Sequence, residues 1–238
     1  MNSAKIWEGE SQFTDSTVML YASCLKRPSA NIKTGPAIQV GVMSKDVHPV
    51  EAAKTGKDEA TCGSCRLRPS VHKEDKKKGE EVGEDPCYVK LFRKGAQWKS
   101  LKDKEAQPGV ALEHISNARF VRFGEYGNMS AIPREEVEPI LRAASNWTLY
   151  EHEWKVPINQ WMRHFAMASV HSEEEAKEAQ AMGWRTFRQT REGEKPTGQE
   201  VMCPFVTHGT QCIDCGLCNG IGPNGEREGV KSIANPSH

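Results

Sequence analysis

The chain has 238 residues, of which 37% are hydrophobic, and it carries 32 basic and 32 acidic side chains. Because these charges cancel, the overall balance does not indicate nucleic acid, a membrane surface or an acidic substrate, and any such partner has to be recognised locally. No apolar run reaches the roughly 18 residues that a membrane span needs, and residues 1–8 lack the apolar core of a signal peptide. The sequence therefore predicts a cytoplasmic protein with no membrane partner.

The N-terminal part of the chain divides into an extension and the beginning of a domain. Residues 1–30 show no clean period, and we interpret them as an N-terminal extension of a single α/β domain over 31–238. The apolar run 37–43 predicts a buried strand, and a short helix is predicted over 50–54, between a proline and a glycine.

The next part of the chain is rich in charge. Residues 73–85 mix both signs and have almost nothing to bury, which predicts a solvated surface loop. Residues 87–92 predict a strand, and 93–107 predict a helix with four lysines around Trp98. We interpret this basic face as solvated, with contact to a phosphate backbone as the alternative.

In the rest of the chain, apolar runs alternate with helical periods. Strands are predicted over 118–123, 148–154, 166–171, 184–188, 200–203 and 229–234, and helices begin at Pro133, Pro157 and Ser172. Ser172 and Glu175 form a capping box. Strands joined by helices indicate a parallel sheet, so we predict a small (β/α)8-type TIM barrel with missing helices. An open doubly wound parallel sheet is the alternative, because 191–199 is too short for a full helix.

Four cysteines lie in the segment 203–218. Cys203, Cys212, Cys215 and Cys218 fall within sixteen residues, and three of them repeat at a fixed spacing in a glycine-rich loop. Packing cysteines do not repeat in this way, and cytosolic thiols stay reduced, so the pattern predicts a metal site. The close C-x2-C-x2-C run with a remote Cys-Pro is typical of a [4Fe-4S] cluster, and Zn²⁺ is the alternative.

A second thiol group lies in the segment 62–87. Cys62, Cys65 and Cys87 supply three candidate ligands. A cluster held by three cysteines leaves one iron open, and an open iron is what a radical enzyme uses to bind S-adenosylmethionine. The alternative is structural zinc, with His72 or Cys24 as the fourth ligand. Cys24 is otherwise predicted to be a buried thiol.

Candidate catalytic residues follow from the predicted parallel sheet, because loops at the C-terminal strand ends converge on one rim. Glu125, Tyr126, His171 and Arg188 occupy such positions. We interpret His152 as a hydrogen-bonded core histidine, with a catalytic base as the alternative. Motifs of dinucleotide enzymes, NTPases and common hydrolases do not occur, which argues against those classes.

Several motifs together resemble an uncharacterised family of bacteriophage and prophage proteins over residues 31–238. They are Cys62-Gly-Ser-Cys65-Arg-Leu-Arg-Pro69, Cys87-Tyr-Val, Gly124-Glu-Tyr-Gly127, Met167-Ala-Ser169, Gly183-Trp-Arg-Thr186 and the segment 203–218. The resemblance implies a phage protein in the host cytoplasm and implies no settled activity. This chain has Gly127-Asn-Met129 where the family has Gly-Asp-Pro, so no carboxylate role carries over. Cys87-Tyr-Val is also similar to the Cys-Tyr-Ala end of radical S-adenosylmethionine motifs, although the compact C-x3-C-x2-C run is absent.

Two functions from different classes fit these observations. The first is an iron–sulfur enzyme that acts on a nucleotide, nucleobase or nucleic acid, as the phage resemblance implies. The alternative is a zinc-stapled module that binds nucleic acid or protein without catalysis. A third hypothesis is a base-exchanging glycosylase-like barrel with a structural zinc, but the chain lacks a convincing nucleophilic aspartate.

Overall fold

A computed structural model describes residues 2–79, 87–191, 193–221 and 229–236. Its strands are β1 (Ser3–Glu10), β2 (Thr17–Ser23), β3 (Ile38–Ser44), β4 (Val121–Arg122), β5 (Trp147–Thr148), β6 (Tyr150–Glu151), β7 (Met167–Val170), β8 (Thr186–Thr190), β9 (Glu200–Met202) and β10 (Ser232–Pro236). Its α-helices are α1 (Pro49–Thr55), α2 (Glu59–Cys62), α3 (Pro69–Lys78), α4 (Leu91–Leu101), α5 (Pro108–Ser116), α6 (Arg134–Ala143), α7 (Glu173–Ala181), α8 (Pro204–His208) and α9 (Cys212–Cys215). Two 3₁₀ helices span Met129–Ala131 and Pro157–His164. The predicted α/β class is confirmed.

The described strands form two five-stranded sheets. The first has the order β1-β2-β3-β4-β5, in which β1, β2 and β3 are antiparallel and β3, β4 and β5 are parallel. Residues 3–23, which lie in the predicted extension, therefore contribute β1 and β2 to this sheet. β2 pairs with β3, the first strand predicted for the domain. The second sheet has the order β6-β7-β8-β10-β9 and is parallel throughout.

One short segment, 147–151, belongs to both sheets. Leu149 separates β5 from β6, so the chain passes from the first sheet to the second without a turn. On one side Phe123 N–H donates to the Thr148 carbonyl, and on the other Met167 N–H donates to the Leu149 carbonyl. Successive side chains of this segment point to opposite faces. Because the segment belongs to both sheets, each face of the first sheet continues as a face of the second.

The core face of the sheets is apolar. It carries Val40, Val121, Leu149 and Ala168, which pack with the buried residues of α5, α6 and α7 in one large cluster. Alternation places Arg122, Tyr150, Met167 and Phe187 on the opposite side. We call this opposite side the thiol face, because both cysteine groups lie on it.

Most of the predicted elements are present, and two segments were assigned the wrong type. Residues 73–78, predicted as part of a solvated loop, belong to α3, which begins at Pro69 and is capped by Gly79 with a φ of +77°. The remainder of that predicted loop, 80–85, lies outside the described residues. Residues 87–92 are not a strand: the chain is irregular to Lys90, and α4 begins at Leu91. Helical spacing brings Leu91, Trp98 and Leu101 together against Met19 and Met43, and this packing decides the structure of the segment. The Ser172 hydroxyl accepts from Glu175 N–H as predicted. No helix in the described part of the chain is long and apolar enough to cross a membrane.

The Arg188 guanidinium is buried in a network of charges on the core face. It is 1% exposed, and its Nε and Nη2 donate to the two carboxylate oxygens of Glu200 at 2.7 to 3.1 Å. Glu194 is a second ion-pair partner. Burial would raise the pKa of Glu200, but the hydrogen bond from Arg188 and others from Thr197 outweigh it, and the pKa is lowered.

We expect Glu200→Gln to lower the free energy of unfolding by roughly 3–5 kcal/mol, because it leaves a buried guanidinium without its main counter-charge. The wild-type stabilisation should be complete above the ordinary pKa of the carboxyl, 4.5, and should be lost as the pH falls below it. Urea unfolding at several pH values measures both effects. Glu138→Gln, which removes an exposed pair with Arg142, is the matched control, and an equal loss in the control would contradict the assignment.

Candidate functional site

The first thiol group lies beside the C-terminal ends of β3, β4 and β6. Cys62 ends α2, and Cys65 follows one turn later with its N–H bonded to the Cys62 carbonyl. Cys87 is far away in sequence, but its N–H donates to the Leu67 carbonyl at 2.8 Å, which fixes it to the same loop. Burial raises the pKa of all three thiols, to about 11 for Cys65 and Cys87, and Cys65 raises the pKa of the other two further.

A buried arginine holds the loop that carries Cys62 and Cys65. Arg68 donates Nη2–H to the Gly56 carbonyl at 2.6 Å and Nη1–H to the Gly63 carbonyl at 2.7 Å. Its Nε donates to the Asp58 carboxylate at 3.0 Å. One side chain therefore joins both ends of the segment before Cys65, and the loop has a defined conformation from protein contacts alone.

Two residues that follow β6 contact this loop. His152 Nδ1 lies 3.5 Å from the Cys65 sulfur. The Glu153 carboxylate accepts a hydrogen bond from Ser64 N–H. It also lies so close to Gly63 that a Cβ at that position would be 2.3 Å from its oxygen. Gly63 has a φ of +58°, a conformation that favours glycine. His72 is buried on α3. His152, which the sequence analysis interpreted as a core residue, therefore contacts a thiol of this group.

Next to the first thiol group is a pocket of hydrogen-bonded polar side chains. Glu125 is buried and accepts from the Tyr21 hydroxyl at 2.5 Å and from the Lys94 ammonium. The buried Tyr126 interacts electrostatically with Cys62 and Cys87. Of the predicted catalytic residues, Tyr126 therefore lies near the predicted cofactor-binding cysteines, whereas the Glu125 carboxylate is bound to Tyr21 and Lys94.

The second thiol group covers the thiol face of the second sheet. Cys203 directly follows β9, Cys212 and Cys215 lie at the two ends of α9, and Cys218 follows Gly216, which caps α9 with a φ of +64°. Cys203 and Cys218 are buried against Met167, Phe187 and Ile233. Burial raises the pKa of Cys212 to about 11 and of Cys218 to about 12, and the other thiols of the group raise both further.

A second buried arginine fixes this loop. Arg185 donates to the carbonyls of Leu217 and Lys231 at 2.8 Å and of Asn219 at 2.6 Å. Gly220 packs on the backbone of residues 163–165 so closely that a Cβ would lie 2.5 Å from the Arg163 carbonyl oxygen. The loop around Cys218 is therefore tied to the N-terminal ends of β7 and β8.

Arg122 lies between the two thiol groups. Burial raises the pKa of Cys87 and of Cys212, and in each the positive charge of Arg122 opposes part of that rise. Its Nη2 donates to the Tyr88 hydroxyl at 2.5 Å. On the neighbouring strand, the Tyr150 side chain lies close enough to Cys218 to lower the pKa of its thiol, against the larger rise that burial causes. The two groups therefore share one polar stretch of the thiol face.

The remaining predicted residues are distributed between the two faces. His171 lies on the thiol face near His152 and hydrogen-bonds to Gln189, and burial lowers its pKa to about 4. Arg188 points to the core face, away from both thiol groups, because it alternates with Phe187. Cys24 has a φ of +63° and lies close enough to Glu125 and Lys94 for their charges to act on its thiol.

In the described ranges, no group of three or more His, Cys, Asp and Glu side chains is arranged to hold a metal ion as the side chains stand. The thiols of each group nevertheless interact electrostatically with one another. Coordination at either group would therefore need the side chains to adopt a different arrangement.

Comparisons of the chain with protein-family models, curated proteins and solved structures found no match in any of the three. The resemblance to a phage family and the likeness to radical S-adenosylmethionine proteins stay predictions. The residues that the sequence analysis missed are Arg68, Arg122 and Arg185. His152 could have been found by the rule that selected His171, since it also follows a parallel strand.

If the first thiol group binds a metal with His152 as a ligand, His152→Ala should lower the metal affinity of that site. The loss should exceed the roughly 10- to 100-fold caused by changing a residue that only hydrogen-bonds to a metal ligand. His72→Ala is the matched control, because His72 is the other buried histidine considered for this role. Metal titration of both variants with a chromogenic chelator measures the difference. A greater loss in His72→Ala would restore the assignment made from the sequence.

Proposed function

We propose that the protein binds metal at both thiol groups and is an iron–sulfur enzyme that acts on a nucleotide, nucleobase or nucleic acid. The observation that carries this proposal is the convergence of seven cysteines, distant in sequence, into two groups on one face of the sheets. Arg68 and Arg185 hold the two loops in place. Packing alone does not account for this arrangement, because surrounding apolar side chains would serve a core equally well.

The two groups differ in the number of thiols, and this difference suggests different roles. Cys203, Cys212, Cys215 and Cys218 supply the four thiolates that a closed [4Fe-4S] cluster or a Zn²⁺ site requires. Cys62, Cys65 and Cys87 supply three, which leaves one coordination position for another ligand. In an iron–sulfur enzyme that position is where S-adenosylmethionine would bind.

We propose a substrate site next to the open position. We propose that the two sheets, joined through residues 147–151, curve as an incomplete barrel with the thiol face inside. Arg122, Tyr126, Glu125 and His171 then surround the space beside the first thiol group. Arg122 supplies a positive charge for an anionic substrate, and Glu125 is held by Tyr21 and Lys94 in a position from which it can accept a proton.

A specific contact favours the zinc-stapled binding module as a second candidate. His152 lies 3.5 Å from the Cys65 sulfur and would complete a Cys3His set at the first thiol group. Both metals would then be four-coordinate and closed, and they would only fix the loops that carry the binding surface.

Anaerobic purification separates the two candidates. We expect a brown protein with absorbance near about 400 nm, stoichiometric iron and sulfide, and an electron paramagnetic resonance signal after reduction that S-adenosylmethionine perturbs. A colourless protein with two zinc ions would overturn the enzyme proposal in favour of the binding module. Protein without either metal would overturn both.

Replacing Cys212 by Ser should remove the metal of the second thiol group and lower the melting temperature, because a metal bound only by the folded loop stabilises the folded state. Cys24→Ser is the matched control, since Cys24 lies beside Glu125 and Lys94. Metal analysis and thermal unfolding of both variants check this expectation. Unchanged metal content in Cys212→Ser would contradict the assignment of the second group.

A further inference from the structure

The segment that follows Cys87 has an unusual local charge. Between Cys87 and Lys102 the chain has five basic residues and no acidic one, although the chain as a whole is neutral. The five are Lys90, Arg93, Lys94, Lys99 and Lys102. Lys94 is bound to Glu125 and Lys102 to Asp103. Lys90, Arg93 and Lys99 are exposed, and none of them forms an ion pair with another residue that the structure describes.

Two aromatic side chains of the same segment are exposed. Tyr88 is 59% exposed and Phe92 is 70% exposed, whereas the third aromatic residue, Trp98, packs on the core and donates to the Ser44 carbonyl. An exposed aromatic ring does not gain the stabilisation that burial in the core would give it. A binding role accounts for the presence of two such rings on the surface.

Each of these two rings has an arginine beside it. The Arg122 guanidinium lies 5.5 Å from the centre of the Tyr88 ring, and the Arg93 guanidinium lies 5.7 Å from the centre of the Phe92 ring. Like Arg93, Arg122 has no carboxylate within ion-pair distance among the described residues. The surface therefore alternates flat apolar rings with unpaired positive charge, and we call Tyr88, Lys90, Phe92, Arg93 and Arg122 the aromatic platform.

We infer that the aromatic platform binds single-stranded nucleic acid. Aromatic rings stack on bases of any sequence, and neighbouring cations neutralise the phosphates, which is how proteins bind single strands without reading their sequence. A duplex hides its bases and would use only the cations. The inference rests on the proposed function, because it names the substrate class of the same site: Tyr88 is adjacent to Cys87, so a base stacked on Tyr88 lies beside the first thiol group.

The test uses the full chain in its metal-loaded form, with fluorescein-labelled 20-residue dT and rU oligonucleotides and fluorescence anisotropy. We expect both strands to bind, more tightly than a 20-base-pair duplex and than dTMP. The slope of log affinity against log salt should be about −0.7 for each phosphate neutralised. Preference for dT or rU distinguishes DNA from RNA as the source of the strand.

Variants separate stacking from charge. Phe92→Ala should weaken binding by about 5- to 150-fold, the range for one base–aromatic stack, and Phe92→Trp should retain it. Arg93→Ala should reduce the salt slope by about 0.7. The matched control is Ile158→Ala, which removes a side chain that is 74% exposed on a 3₁₀ helix outside the platform.

Three outcomes would overturn the inference: no binding of either strand, equal binding of duplex or dTMP, or equal effects of Phe92→Ala and Ile158→Ala. Metal content measured in the same samples keeps this result separate from the proposed function. Metal-loaded protein that does not bind oligonucleotides contradicts the platform and leaves the metal proposal standing. Metal-free protein that binds them through Phe92 contradicts the metal proposal and supports the platform.

Discussion

The segment 147–151 is the constraint on which the rest of the structure depends. Its backbone pairs with β4 on one side and β7 on the other, so it joins the two sheets. Leu149 N–H also donates to the Cys218 carbonyl, and His152 just beyond it contacts Cys65. The anchor points Leu149 and His152 are three residues apart, at most about 11 Å along an extended chain. The position of this segment therefore sets the spacing of the two thiol groups.

Buried arginines stabilise the loops that this segment positions. Arg68 and Arg185 each donate to backbone carbonyls of these loops, and a buried carbonyl without a partner costs about 1–3 kcal/mol. Both loops therefore reach a defined conformation through protein contacts before any ligand binds. Such a loop loses little conformational entropy when a ligand binds to it, and this small cost raises the affinity for the ligand.

The sequence predicted the features that depend on local pattern. The Ser172 cap, the apolar strand β3 and the cysteine spacing follow from neighbouring residues, and all of them could be recognised without tertiary contacts. The segment 87–92 could not, because its β-like composition is overridden by the packing of Leu91 and Trp98 on Met43. The role of Arg122 could not be predicted either. The sequence of a short apolar strand does not show which face its arginine occupies, or which thiols of other loops lie near it.

The electrostatics of the thiol face connect its two ends. Burial and mutual repulsion raise the pKa of the clustered cysteines, so at neutral pH the thiols stay protonated unless a cation compensates their charge. Lys33 and Arg122 both act on Cys212 in the direction of the thiolate, but the pKa remains about 11. A bound metal ion would supply the missing positive charge and displace the protons. A bound cluster with four thiolates would itself be anionic, and Lys33 and Arg122 are placed to neutralise it. Lys90 and Arg93 then remain as the platform cations that would face an incoming strand.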